Sequence, residues 1–180
     1  MEDLFNNNPI LIPLETGNNC LQRQLGIFSE KKATVEKLKA SQEKAKGVAY
    51  LENNKKRTEV TTLPDGLQYE IIKAGDPQAN KPRVTDTVVV NYIGVLIDGK
   101  EFDNSVKRGQ PAVFPVDKVI KGWTEILQLM TPGAHWKVYI PADLAYGDNP
   151  PPGSPIAAGS VLIFDIMLEG IKPVIEKAKQ

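Results

Sequence analysis

Hydrophobic and polar positions alternate with a period of two through much of the chain beyond Thr58. Such alternation predicts half-buried strands, and the Asp98-Gly99 dipeptide between two of them is typical of a hairpin turn. Five or six strands joined by tight turns indicate an antiparallel sheet whose apolar face needs a cover. The predicted strands are Leu67–Lys73, Thr87–Ile97, Ala112–Val116, His135–Pro141 and Ser160–Ile171.

One short segment within this region has a helical period instead. In "VIKGWTEILQLM" the apolar residues recur at steps of three and four, at Ile120, Trp123, Ile126 or Leu127, and Met130. They share one face of a short helix, which we expect to cover the sheet. The fold predicted for residues 58–172 is therefore α+β, with a curved antiparallel sheet wrapped on one short helix.

The chain before Thr58 lacks the strand pattern. Residues 30–57 are predicted to form a long exposed helix, because Glu30–Asn54 holds strong helix formers, no proline and only a thin apolar stripe. Residues 1–29 are rich in asparagine, proline and glycine, so we expect a poorly ordered segment. Residues 173–180 are a tail.

Composition excludes several classes of function. Lys plus Arg and Asp plus Glu both number 22, so no net field favours nucleic acid. The single cysteine, Cys20, and the single histidine, His135, make a disulfide framework, a zinc site and a Cys-His dyad improbable. We therefore expect no cofactor and no metal.

Targeting signals are not visible in the sequence. No apolar run approaches the ~20 residues of a membrane span, and no secretory signal is apparent. The expected location is cytoplasmic as the sequence is written, with the periplasm as the alternative if the true N-terminus differs.

Five motifs occur in order between about Thr62 and Ile171: "VVVNYIG", "DGKEFDNS", "VIKGWTEILQLM", "LAYGDN…PI" and "LIFDIML". Together they resemble the FK506-binding protein (FKBP) family of peptidyl-prolyl cis-trans isomerases. "GVAYLENNKK" and "GWTEILQLM" are similar to bacterial macrophage-infectivity-potentiator-like and FKBP22-like members. Members of that subgroup dimerise through N-terminal helices. Residues before Ser29 are not predicted to be helical, so dimerisation of this chain is doubtful.

The resemblance implies a dry pocket that binds proline-containing polypeptides, and also macrolides of the FK506 and rapamycin type. Trp123 would be its floor, while the Ile156 N–H and the Tyr146 hydroxyl would bind carbonyl groups. Asp103 would either order its loop or act on the twisted carbonyl. The implied catalytic residues are Tyr92, Phe102, Asp103, Tyr146 and Phe164, and the implied substrate-binding residues are Phe114, Val119, Ile120, Trp123 and Ile156.

Two positions depart from the pattern of small FKBPs. Ala112 replaces a usual phenylalanine, and the loop Asp148–Pro155 is rich in proline, which predicts a stiff flap. The expected function is rotation of X-Pro bonds, which needs no nucleophile. The alternatives are a catalytically weak FKBP-fold binding module and a chaperone for proline-containing segments.

Overall fold

A computed structural model describes the backbone of residues 14–172 and the side chains of residues 30–172. The chain divides into two compact units, Met1–Leu38 and Lys39–Gln180. Part of the predicted N-terminal segment, residues 1–13, lies outside the described residues, as does the tail 173–180.

The first element is one long helix, α1, at Leu14–Asn54. It begins at residue 14, whereas the sequence pattern placed its start at residue 30. Gly17, Asn18 and Asn19 favour turns by local propensity. Such residues cost less than about 1 kcal/mol each inside a helix, and propagation of an existing helix is easier than nucleation. Local propensity therefore did not end α1 there.

Seven strands form one antiparallel sheet, in the order β1-β2-β6-β7-β3-β4 with β5 also paired to β3. The fold class predicted from the sequence is confirmed. The strands not recognised individually, β1 and β4, are three and four residues long, too short to show alternation. The strands are β1 Val60–Thr62, β2 Gln68–Lys73, β3 Thr87–Leu96, β4 Glu101–Asn104, β5 Ala112–Pro115, β6 His135–Ile140 and β7 Leu162–Lys172.

A short helix, α2, at Lys121–Leu127 packs against the sheet and contributes the predicted apolar face to the core. Gly122 allows this close packing, because a Cβ atom there would lie 2.6 Å from Cγ2 of Ile140 on β6. Ile126, Leu127 and Met130 are fully buried. The core thus lies between α2 and the sheet face that carries the alternating residues of β3, β6 and β7.

The last turns of α1 pack against the opposite face of the sheet. Gln68, Tyr139 and Ile163 are paired neighbours on β2, β6 and β7, and all three are buried. The ring of Tyr50 on α1 lies 6.2 Å from that of Tyr139. Most of the described α1 side chains are exposed, as predicted, but residues 40–54 have one packed face.

None of the helices described between residues 14 and 172 combines the length and the apolarity that crossing a membrane requires.

Candidate active site

A cavity of about 530 Å³ opens beside the start of α2. All ten side chains predicted from the sequence line it, so the structure brings them together in one place. Three lining residues were not predicted: Lys118, Pro151 and Ser154. The ten predicted residues are Tyr92, Phe102, Asp103, Phe114, Val119, Ile120, Trp123, Tyr146, Ile156 and Phe164.

Trp123 is the centre of the aromatic part of this cavity. Its ring stands edge-on to those of Tyr92, Phe114 and Phe164, with centroid distances of 5.1, 5.9 and 5.2 Å and interplanar angles of 84° to 88°. Phe102 stands edge-on to Phe164 at 5.5 Å. Edge-to-face contacts are favourable for aromatic quadrupoles. The arrangement gives a rigid apolar wall on which a flat or cyclic apolar group can pack.

The start of α2 sets the position of Trp123. The carbonyl of Ile120 accepts hydrogen bonds from the N–H groups of Trp123 and Thr124, at 2.9 and 3.1 Å. The Thr124 hydroxyl donates to the Val116 carbonyl at 2.7 Å and links the helix to the preceding turn. These bonds fix the first turn, so Trp123, which is only 3% exposed, is both a core residue and part of the cavity.

Gly94 on β3 is a contributor that sequence reasoning missed. A Cβ atom at this position would lie 2.6 Å from Cζ of Phe102 and 3.0 Å from Cε1 of Phe164. Both rings occupy the space that any other residue would need. The glycine in "NYIG" was visible in the sequence, but a strand glycine shows only that something approaches closely.

A polar network joins Asp103 to two neighbours at the edge of the cavity. The Tyr92 hydroxyl donates to one carboxylate oxygen of Asp103, and the Arg108 guanidinium donates to the other. Arg108 also donates to the Tyr92 hydroxyl at 2.9 Å, and the backbone N–H of Asn104 donates to Asp103 at 2.8 Å. Arg108 was not predicted from the sequence, since its distance of five residues from Asp103 follows no regular period.

The network controls which groups are charged. Burial raises the pKa of Tyr92 to about 12, and its hydrogen bond to Asp103 adds to the rise. Burial acts to raise the pKa of Asp103, but the hydrogen bonds from Tyr92 and Arg108 outweigh it and hold that pKa below its usual value. Burial also raises the pKa of Tyr146. At neutral pH, therefore, the tyrosines are neutral and Asp103 is a carboxylate.

The proline-rich loop after Tyr146 forms the remaining wall. Ser154 N–H donates to the Pro151 carbonyl at 3.2 Å, and Gly153 between them has φ of 79°. Proline followed by a glycine with positive φ is typical of a type II turn. This turn places Pro151 and Ser154 on the cavity.

Three hydrogen-bond donors of the cavity differ in their availability. The Ile156 N–H, which the resemblance assigned to a bound carbonyl, donates to the Ser154 hydroxyl at a long distance of 3.3 Å. The Ile120 N–H has no hydrogen-bond acceptor within residues 30–172. The Tyr146 side chain is 37% exposed, and its hydroxyl likewise has no partner in that part of the chain.

Comparison with known proteins agrees with this geometry. The family model of the FKBP-type peptidyl-prolyl cis-trans isomerase matches residues 78–169. A second model, the domain amino-terminal to that isomerase, matches residues 1–71. The first match covers all the cavity-lining residues with β3 to β6 and most of β7, and the second covers α1, β1 and most of β2.

Individual relatives include the outer membrane protein MIP of Legionella longbeachae, which is 44% identical over 96% of this chain and 72% of its own length. The peptidyl-prolyl cis-trans isomerase Mip of Coxiella burnetii is 49% identical over 71% of this chain. The FKBP-type isomerase FkpA of Escherichia coli K12 is 42% identical over 96% of this chain. The chain spans 54% and 62% of the lengths of these last two proteins.

Solved structures show the same relationship. The crystal structure of FkpA from Escherichia coli has a TM-score of 0.77 at 41% sequence identity, and it covers 89% of this chain and 72% of its own. A peptidyl-prolyl isomerase from Pseudomonas syringae has a TM-score of 0.67 at 34% identity, over 73% of this chain and 95% of its own. With the family model matched across every cavity-lining residue, this chain belongs to the FKBP-type peptidyl-prolyl cis-trans isomerases.

Proposed function

We propose that the cavity catalyses cis-trans rotation of X-Pro bonds in proline-containing polypeptides, with the proline ring packed on Trp123. The observation that carries this proposal is the set of edge-on rings of Tyr92, Phe114 and Phe164 around a buried indole. Such a wall suits a cyclic apolar side chain, and it leaves space for one in a cavity of about 530 Å³.

The chemistry needs no bond to be made or broken. Rotation about an amide bond meets a barrier of about 18–20 kcal/mol, because twisting removes the resonance between nitrogen and carbonyl. The planar amide carries more charge on its oxygen than the twisted one. A dry aromatic pocket therefore disfavours the planar ground state more than the transition state.

Asp103 has its two carboxylate oxygens bonded to Tyr92 and Arg108, which supports an ordering role in place of direct action on the substrate. In this role the carboxylate holds the Tyr92 ring against Trp123 and fixes the position of the segment after β4 through its hydrogen bond with Arg108. Arg108 is a positioning residue in the same network, since it contacts both Asp103 and Tyr92.

Two donors orient the bound peptide in this proposal. The Tyr146 hydroxyl is available at the cavity and binds one substrate carbonyl. The Ile120 N–H, unpaired within residues 30–172, is more available to bind a second carbonyl than the Ile156 N–H, which already has an acceptor in Ser154.

We also propose that macrolides of the FK506 and rapamycin type occupy this cavity, because its apolar wall matches their chemistry. Titration calorimetry with rapamycin tests this directly. For location, we propose a site outside the cytoplasm in place of the cytoplasmic prediction. The naming of the Legionella relative as an outer membrane protein supports that alternative, and cell fractionation tests it.

Exchange NMR on one Phe-Pro peptide tests the isomerase. The pKa of Asp103 is lowered and those of Tyr92 and Tyr146 are raised, so none of these groups titrates near neutrality. The rate should thus be nearly flat from about pH 6 to about pH 8, which spans the histidine range of about 6.5. A bell-shaped profile would indicate acid–base catalysis and contradict the mechanism.

Two variants distinguish the contribution of apolar contact area to catalysis from that of a hydrogen bond. Tyr146→Phe should lower kcat/KM by a factor of about 2 to 13, which corresponds to one neutral hydrogen bond of about 0.5–1.5 kcal/mol. Phe102→Ala should lower it further, because it removes a ring and admits water. Circular dichroism confirms that each variant is folded. Binding of the peptide without acceleration would favour the binding-module alternative.

A further inference from the structure

The loop between β6 and β7 carries Tyr146 and Ile156 into the cavity, and its other side is covered by α1. Two glycines allow this contact. A Cβ atom on Gly47 of α1 would lie 2.6 Å from Cγ2 of Val161, and a Cβ atom on Gly159 would lie 2.8 Å from the carbonyl oxygen of Ala40. Helix and loop therefore meet at backbone distance.

The contact continues towards the cavity through hydrogen bonds. Gly159 N–H donates to the Gly147 carbonyl at 2.9 Å, and Gly147 N–H donates to the Ala142 carbonyl at 2.9 Å. Gly147 directly follows Tyr146 in the chain. A displacement of Gly159 is thus passed on through one hydrogen bond to the residue next to the Tyr146 side chain.

Val161 extends the same contact towards the sheet. Its side chain is 4% exposed, and Leu162, the next residue, begins β7, the strand that carries Phe164. A salt bridge between Lys44 and Asp143 spans helix and loop at 3.2 Å. Both of its side chains are more than half exposed, so it contributes little, and the packing of the glycines carries the contact.

We infer that the last turns of α1, residues 40–54, hold the loop 142–161 in its substrate-binding position, with Gly47 and Gly159 as the positioning residues. This inference rests on the proposed function, because it gives α1 an effect on peptide binding at the same cavity. A loop that is already ordered before binding costs less free energy when the peptide binds. Loss of the contact should therefore weaken binding and leave the rotation step unchanged.

Gly47→Ala tests the inference in the full chain. Alanine favours the helix more than glycine does, so α1 itself should not be weakened. The new Cβ atom meets Val161 and moves the helix off the loop. We expect KM for a Phe-Pro peptide to rise by about 2- to 10-fold, with kcat within about 2-fold of the unaltered protein. The Gly147 and Gly159 amides should exchange faster with solvent.

Two further variants complete the design. Adding Val161→Ala to Gly47→Ala removes the methyl groups that the new Cβ atom meets, and it should restore both KM and amide protection. Gln42→Ala places an alanine on an exposed position of the same helix and should change neither quantity. A rise in KM and a loss of amide protection that Val161→Ala does not reverse would assign the effect to general destabilisation and overturn the inference.

Amide exchange separates this inference from the proposed function, because it needs no activity. Unchanged exchange of the Gly147 and Gly159 amides in Gly47→Ala overturns the inference, and so does faster exchange with an unchanged KM. Absence of isomerase activity in the unaltered protein would contradict the proposed function, and with it the claim that α1 affects peptide binding. The amide exchange data would still decide whether α1 holds the loop.

Discussion

At the scale of single residues, the pKa of Glu125 is set by a neighbour on a different element of the fold. It lies on α2, and its carboxyl hydrogen-bonds to Asp65 in the turn between β1 and β2. That hydrogen bond is the largest cause that raises the pKa of Glu125 to about 7, followed by burial. The folded protein therefore binds this proton more tightly than the unfolded chain does.

The sign of the pH effect follows from linkage. A carboxyl with a raised pKa stabilises the fold fully below its unfolded value of 4.5, and the contribution is lost as the pH rises through about 7. Glu125→Gln can donate to Asp65 at every pH. It should raise Tm at about pH 8 by a few degrees at most and leave Tm nearly unchanged at about pH 5.

Thermal unfolding followed by circular dichroism at these two pH values measures the difference. Glu36→Gln, at an exposed position of α1, provides the matched control and should show no pH-dependent change. A gain in Tm for Glu125→Gln that is equal at both pH values would show that the carboxyl pair does not titrate in this range.

The sequence identified ten residues that the structure brings together, while the functional roles of these residues stay predictions. The ten residues implied by the family resemblance line one cavity, because the order and spacing of the motifs carry their positions in the fold. Gly94 and Arg108 were missed, because each matters through a contact with a residue on another segment and no local pattern in the sequence reports such a contact. The availability of the Ile120 N–H was also missed, because it depends on the backbone hydrogen bonds of the folded chain.

At the scale of elements, the C-terminal end of α1 depends on a buried polar anchor. Gln68 on β2 donates to the Leu51 carbonyl at 3.0 Å and accepts from the Asn54 side chain, also at 3.0 Å. Both Gln68 and Asn54 are buried. The Leu51 carbonyl also accepts from the Lys55 N–H at 3.0 Å, so Gln68 adds a second hydrogen bond that links the end of α1 to β2.

Gln68→Leu should lower the free energy of unfolding by about 1–3 kcal/mol, because it leaves the buried Asn54 amide without its acceptor. Urea denaturation measures the loss. Gln128→Leu is the matched control, since the Gln128 side chain also donates to a helix carbonyl, that of Thr124, but lies exposed. Equal losses in the two variants would mean that the anchor adds nothing beyond surface packing.

The same helix shows why element boundaries were predicted less well than element types. Its helical character was evident, but its start and its packed face were not. Dimerisation was doubtful because residues before Ser29 are not predicted to be helical, but α1 begins at Leu14. The prediction on dimerisation therefore loses that support.

At the scale of the whole molecule, the division of the chain into Met1–Leu38 and Lys39–Gln180 indicates which part resists proteolysis. The exposed helix predicted over residues 30–57 would place the start of a resistant core near Thr58. Because residues 40–54 pack on the sheet and its loop, we now expect trypsin to cut at exposed lysines between Lys31 and Lys39 and to spare the chain after them.

Limited proteolysis with mass spectrometry of the fragments decides between the two positions. A fragment that begins near Lys39 agrees with the packed helix. In Gly47→Ala, which separates helix and loop, cleavage should extend towards Thr58. A fragment starting near Thr58 from the unaltered protein would contradict the packing of residues 40–54.

By itself, the sequence determined the fold class, the family and ten of the residues that line the cavity, because periodicity sets which side chains face a core and ordered motifs set which residues meet. Only the tertiary structure decided how α1 packs on the sheet and that Arg108 bonds to Asp103. It also decided which atoms approach closely at Gly47, Gly94 and Gly159. These features depend on distances between segments far apart in the chain. A glycine marks where a close approach is possible, whereas its partner is known only once the backbone has folded.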